Sequence, residues 1–240
     1  MGSPHLIPMI YEFIIFGISL YLITKIGLRF RERKKEVIKY LFLFSLLLGF
    51  AIGVAAISRI LRLTGIWILE PAPSEKKLEL LSITVSLIAF SDIFLAAFIL
   101  EVFKDGAFKG KNKNYIFIII ALSVVYSVYT IITGIFKEDL TDVIWLLVIL
   151  LSAPIYVILI KNSFNLAKKL PDTLSQRSMQ SLGAGGISIL LVFVFFMLDA
   201  ALGGKYTPFY YVAWILALLS IMFLYIGVIQ PEWFKKQVKK

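Results

Sequence analysis

The chain has 240 residues, 60% of them hydrophobic and 17% charged, with 25 Lys and Arg against 15 Asp and Glu. A soluble domain is about one quarter charged and roughly half apolar, so a soluble fold is excluded and an all-α integral membrane bundle is expected, helices satisfying their own backbone in lipid. With no cysteine and one histidine, His5, the sequence offers no disulfide framework, thiol nucleophile or histidine-ligated metal centre.

About 20 helical residues cross roughly 30 Å of hydrocarbon. Seven stretches qualify, 8–28, 40–66, 78–103, 115–136, 143–161, 182–202 and 207–229, and they define one seven-helix domain over 1–240. The first lacks a basic leader and a small-residue cleavage site, so it reads as a span and not as a signal peptide; it carries Glu12 and Ser19. The second holds Ser45, Gly49 and Gly53 at four-residue intervals, small residues that let another helix approach closely, and ends near Arg59 and Arg62. The third carries Asp92 in VSLIAFSDIFLAAFIL, and the fourth carries Ser123, Tyr126, Tyr129 and Thr130. The fifth begins near Trp145 and contains Ser152, Tyr156 and Pro154, which is expected to kink it. The sixth opens on LGAGGIS and closes near Asp199; the seventh, TPFYYVAW onward, brings Tyr210, Tyr211, Trp214 and Ser220. The connection 161–181 is partly amphipathic and is expected to extend helices five and six beyond the bilayer.

Charge sets the orientation. Segments 29–39, 104–114, 161–179 and 231–240, together with Lys25, hold 19 of the 25 Lys and Arg; the opposite ends keep Arg59, Arg62, Lys76, Lys77, Lys137 and Lys205. The positive-inside bias then predicts an outside N-terminus and a cytoplasmic C-terminus in a multi-pass cell-membrane protein. The net charge of +10 therefore faces anionic lipid headgroups and not nucleic acid.

Asp92 is the chemical anomaly. A carboxylate at the centre of a lipid-buried helix costs roughly 2.5 kcal/mol or more, and at 1.5 Å per residue Asp92 falls roughly 18 Å below the outer boundary. Residues at similar depth include Ser19, Ser45, Ser123, Ser152, Ser188 and Ser220, with Tyr21, Tyr126 and Tyr156 close by. The expectation is that Asp92 faces the bundle interior among hydroxyls as a proton or small-cation site with Ser45, Ser123 and Ser220. Nearer the outside, Glu12, Arg59, Arg62, Tyr126, Tyr129, Trp145, Asp199, Tyr210, Tyr211 and Trp214 are expected to converge on an outward-facing ligand cavity. Aromatics meeting a few charges make such a pocket, although the same aromatics suit an interfacial belt.

The motifs that are missing discriminate among seven-helix classes. The topology resembles microbial rhodopsins, but VAWILALLSIMFLYIGVI has no lysine for a retinal Schiff base, so no cofactor is expected. It also resembles G-protein-coupled receptors, yet helix three ends EVFKDG without Asp-Arg-Tyr and helix seven ends IGVIQP without Asn-Pro-x-x-Tyr. Ceramidase-type hydrolases need several histidines, and seven-helix sugar carriers need paired Pro-Gln motifs; QPEW at 230–233 has the reverse order. The exit YIGVIQPEWFKK (225–236) resembles that of the seven-helix sensory regions that precede prokaryotic histidine kinases. The resemblance implies a sensor whose helices signal to a cytoplasmic effector, here a separate or detached protein, since Trp233 lies seven residues from the last residue. Abundant Ile and Lys without Cys fit a prokaryote.

No catalytic constellation is present, so the sequence reads as a non-enzymatic, receptor-like sensor with a small ligand or ion in its outer cavity. The alternative is a transporter of a small solute, ion or lipid using Asp92 as its proton or cation site. The bilayer is one partner; a cytoplasmic signalling protein and a second copy of the chain are the others the reading leaves open.

Overall fold

The computed structural model describes residues 6–64, 81–104, 106–135, 141–202 and 206–238; within its helices the side chains of Arg59 and Arg62 lie outside the described residues. Eight helices follow one another: α1 Leu6–Arg33, α2 Glu36–Thr64, α3 Leu81–Phe103, α4 Asn112–Ile135, α5 Thr141–Ala167, α6 Thr173–Ala201, α7 Pro208–Ile229 and α8 Glu232–Val238. The first seven contain stretches long and apolar enough to cross a membrane, which makes the chain a helical, multi-pass membrane bundle with no strand among the described residues.

The helices sort their faces by period. In α1 the buried positions are Pro8, Glu12, Ile15, Ser19, Ile23 and Ile26, steps of three and four that trace one stripe of a 3.6-residue helix. Its other faces present Ile14, Ile18 and Tyr21 outward. Tyr21 is thus 62% exposed and does not join the mid-depth hydroxyls expected around Asp92. Lipid tails are as apolar as leucine, so close packing rather than water exclusion holds such helices together. Glycines set that closeness. A Cβ on Gly53 would lie 2.8 Å from the Phe16 ring, seating α1 on α2, and one on Gly186 would meet Ile160 at 2.8 Å, seating α6 on α5.

Helix ends follow local chemistry. Lys34 takes a left-handed φ of 49° and returns its N–H to Phe30 O at 2.8 Å, closing α1 before a two-residue connection. Pro208 opens α7, where its missing N–H is harmless. Gln230 ends it with a left-handed φ of 50° and an N–H bonded to Ile226 O, after which Pro231 prevents continuation. The short helix α8 then carries Lys235 and Lys236 beside the exposed Trp233.

Most spans fall where the apolar runs predict, and the expected extension of helix six starts α6 at Thr173, nine residues before 182. Its polar opening TLSQRSMQS is helical because it is amphipathic: Ser178 and Ser181 turn inward, and Ser181 Oγ donates to Phe223 O of α7 at 2.9 Å. The expected extension of helix five takes α5 on to Ala167, through Pro154. Residues 65–66, 78–80 and 136 of the expected spans lie outside the described residues.

Two apolar clusters fill the interior. The larger, around Leu41, Phe44, Leu95, Phe98, Tyr156 and Leu159, runs the length of the bundle, from Val85 and Ile144 near the starts of α3 and α5 to Ile38 near the start of α2 and Ile229 at the end of α7. The smaller, around Ile15, Ile52, Val192, Tyr210, Ala213 and Trp214, sits near the end where α1 and α7 begin. The candidate site lies between them.

Candidate functional site

At the end where α1, α3, α5 and α7 begin, α7 presents Tyr210 and Trp214 one turn apart on its buried face, 2% and 8% exposed. Tyr210 Oη donates to Glu12 Oε1 of α1, a fully buried carboxyl group. Beside it Tyr11 Oη donates to Tyr211 O at 2.7 Å, so α1 and α7 are pinned twice. Phe196 of α6 meets Trp214 edge-on at 5.2 Å and Trp145 of α5 in a stack at 5.7 Å. Burial on this scale removes Tyr210 and Trp214 from any lipid-facing aromatic belt.

Below this cluster lies an interhelical cavity of about 60 Å³. Its wall combines Ile52 of α2, Thr84 and Ile88 of α3, Trp145 of α5, Phe196 of α6 and Trp214 of α7. Two buried polar atoms of lining residues, Thr84 Oγ1 and Trp214 Nε1, have no hydrogen-bond partner among the described residues. An unmade bond at a buried donor costs about 1–3 kcal/mol, and native proteins carry only a few such orphans per 100 residues.

Asp92 follows Thr84 and Ile88 at four-residue spacing along the same face of α3, about 6 Å beyond Ile88 at 1.5 Å per residue. It is fully buried. Ser152 Oγ donates to Oδ2 at 2.5 Å and Tyr156 Oη to Oδ1 at 2.6 Å, both from α5. The Tyr156 ring stacks on Phe193 of α6 at 5.9 Å. Phe193 is one residue from Val192 and three from Phe196, both of which line the cavity. Among the described residues no three His, Cys, Asp or Glu side chains converge, so a cation at Asp92 would rely on hydroxyl and carbonyl oxygens for its remaining ligands.

The residues picked from sequence divide into groups. Trp145, Tyr210 and Trp214 line the cavity, with Glu12 and Tyr211 tied to it through Tyr210. Asp199 does a local job: its Oδ1 accepts from Thr207 N and Thr207 Oγ1, each at 2.8 Å, holding the entry to α7. Tyr126 and Tyr129 line a different space, a groove of about 430 Å³ between α4 and α5 that opens on the exposed Val125 and Leu150. Tyr126 Oη spends its proton on Ile144 O at 3.1 Å. The side chains of Arg59 and Arg62 lie outside the described residues.

The hydroxyls on Asp92 are likewise not those of Ser45, Ser123 and Ser220. Ser123 Oγ donates to Ala89 O at 3.0 Å and Ser220 Oγ to Ala217 O at 2.7 Å, while Ser45 Oγ is buried without a partner among the described residues. A serine in a membrane helix readily bonds a backbone carbonyl, so depth alone did not identify the partners. The usable signal was on α5, where Ser152 and Tyr156 stand four residues apart at mid-span and share a face. Thr84 and Phe196 carried no such signal, each being one more residue in an apolar run.

No family model, curated protein or solved structure matches the chain.

Proposed function

We propose that the chain is a non-enzymatic, receptor-like membrane sensor in which a small ligand entering the cavity between α2, α3, α5, α6 and α7 favours one of two packings of the bundle. The observation that carries this reading is the cavity itself, walled by the aromatic side chains of Trp145, Phe196, Tyr210 and Trp214. A ligand changes an equilibrium only through differential contact with the two states, and α6 offers the lever. Phe196 and Val192 line the cavity, Phe193 stacks on the tyrosine that holds Asp92, and Gly183, Gly185 and Gly186 lie further along the same helix. Motion at Phe196 is passed to the α5–α6 connection, residues 168–172.

The asymmetry of Lys and Arg supports placing that connection, α8 and the C-terminus in the cytoplasm of a cell, with the cavity toward the outside. A cytoplasmic signalling protein then reads the α5–α6 end, as the likeness of YIGVIQPEWFKK to exits of seven-helix sensory regions suggests. In nanodiscs, a molecule that raises the unfolding temperature should do so less for Tyr211→Ala and Trp214→Ala, and spin labels at Lys168 and Lys104 should change separation on binding. Tight binding with no change in separation would overturn the sensing role.

A second reading rests on Asp92, whose two oxygens are held by Ser152 and Tyr156 in the bundle centre. Ionisable groups at that depth mark proton or ion pathways in transporters. Uptake by proteoliposomes driven by a pH gradient and abolished in Asp92→Asn would favour transport over sensing.

A further inference from the structure

We propose that α1, α7 and α8 form a binding site for the headgroup of an anionic phospholipid, its phosphate held by Lys25 and Arg29. The site lies at the opposite end of α1 and α7 from the cavity and does not depend on it. Lys25 is the first observation. It falls inside the apolar stretch 8–28, on an exposed face of α1, with its Nζ over the ring of the exposed Tyr21, 5.4 Å from the centroid. The ion pairs among the described residues are Arg29–Glu32, Lys39–Glu36 and Lys235–Glu232, so none of their carboxylates neutralises Lys25. A cation on a membrane-spanning helix is costly unless it reaches an anion or the interface, and the anion that a lipid-facing surface meets is a phosphate.

The second observation is what converges on Arg29. It follows Lys25 at four-residue spacing, about 6 Å further along the same side of α1. It stands within electrostatic reach of Tyr225 of α7 and of Glu232 at the start of α8, so three elements meet there. Glu232 is held below the usual carboxylate range by the bonded Lys235 and then by Lys236 and Arg29. Segments 29–39 and 232–236 hold eight Lys and Arg against three Glu, and each of those Glu is already paired. The surplus is positive. It repels the ammonium of a choline headgroup and favours a lipid of net negative charge. Arg29 Nη1 serves Glu32, and the guanidinium keeps further donors for a phosphate. Trp233, half exposed beside Phe234 on α8, belongs at the headgroup level where indole rings settle. A soluble phosphate or an acidic protein would not draw on Lys25, which lies one turn deeper in the apolar stretch than Arg29.

The test titrates the full chain in detergent micelles with phosphatidylglycerol and with phosphatidylcholine of identical acyl chains, bound lipids being counted by native mass spectrometry. The first phosphatidylglycerol should bind tighter than the first phosphatidylcholine. Lys25→Gln and Arg29→Gln should each weaken that first phosphatidylglycerol about fivefold, the usual worth of one cation near the membrane surface, and leave phosphatidylcholine unchanged. Arg29→Lys keeps the charge and should lose less. Lys109→Gln combined with Lys111→Gln removes two exposed cations from the α3–α4 connection, and the first phosphatidylglycerol should bind to that variant as before. Four results would overturn the site. Equal loss in the Lys109 and Lys111 variant would reduce the effect to general surface charge, and equal affinity for the two lipids would remove the selectivity. An unchanged affinity in Lys25→Gln would take the deeper cation out of the site. Displacement of the bound lipid by inorganic phosphate would assign the cations to a soluble anion.

Discussion

The carboxyl group of Asp92 and the hydroxyl of Tyr156 lie 2.6 Å apart in the buried centre of the bundle, so α3 and α5 are tied at mid-span by a bond that water cannot replace. Ser152 occupies the other oxygen at 2.5 Å. Tyr156→Phe deletes the donor and keeps the stack on Phe193, and it should destabilise the bundle by about 0.5–2 kcal/mol, the span between measured interhelical bonds in membranes and buried bonds in general. Ser152→Ala should cost a similar amount. Because both donors serve one carboxyl group, the double variant should depart from the sum of the singles by about 0.5 kcal/mol or more. Strict additivity in SDS-unfolding titrations would show that the two bonds are not a unit.

The glycines of α6 and α7 make a sharper contrast. A Cβ on Gly227 would lie 2.9 Å from the backbone oxygen of Ser178 as well as against Leu182, whereas one on Gly17 would meet nothing within 4 Å. A backbone atom cannot swing aside as a side-chain tip can, so Gly227→Ala should force α6 from α7 at a cost of about 1–3 kcal/mol. Gly17→Ala should be neutral or stabilise by up to about 1 kcal/mol through helix propensity. Equal unfolding midpoints for the two variants would contradict the close α6–α7 packing.

The apolar runs located seven spans because lipid leaves the backbone no other solution, and the period of α1 could have named its buried face. Packing was less legible. Gly49 and Gly53 were recognisable by spacing and do receive α1, against Ile23 and Phe16. The apolar run around Asp92 does not say that it turns toward α5, because rotation about a uniformly apolar helix leaves no periodic trace; the only pointer was the Ser152 and Tyr156 pair on α5 itself. For the same reason Tyr126 and Trp145 looked equivalent, and only the tertiary arrangement sends one to the α4–α5 groove and the other to the cavity. Asp199 was read as part of an outer polar site, yet its bonds to Thr207 are those of a local turn.

Outside the spans, Asp172 Oδ2 accepts the N–H of Ser175 at 2.8 Å at the start of α6, and that backbone bond, with a side-chain bond to Ser175, holds its carboxyl group below the usual carboxylate range. A depressed folded-state value means the stabilisation is present in full above the unfolded value of about 3.9 and is lost as pH falls through the lower, folded one. Amide exchange at residues 173–177, corrected for intrinsic rates, should therefore be constant from pH 7 to 5 and rise only below about pH 4. Asp172→Asn keeps a capping oxygen and should abolish the acid-dependent part alone. Loosening of α6 near pH 6 would assign the transition to another group.

The orientation drawn from charge admits a direct check, since the chain has no cysteine to remove first. Lys109 lies in the α3–α4 connection, on the side rich in Lys and Arg, and Leu202, 63% exposed, lies just past the other end of α6. In intact cells a membrane-impermeant maleimide should label Leu202→Cys and spare Lys109→Cys until the membrane is opened. The argument is energetic: moving one elementary charge against a 100 mV potential costs about 2.3 kcal/mol, and segment 29–39 alone carries six Lys and Arg. Labelling of Lys109→Cys in sealed cells would invert the bundle, turn the cavity toward the cytoplasm, and recast the proposed ligand as an intracellular one.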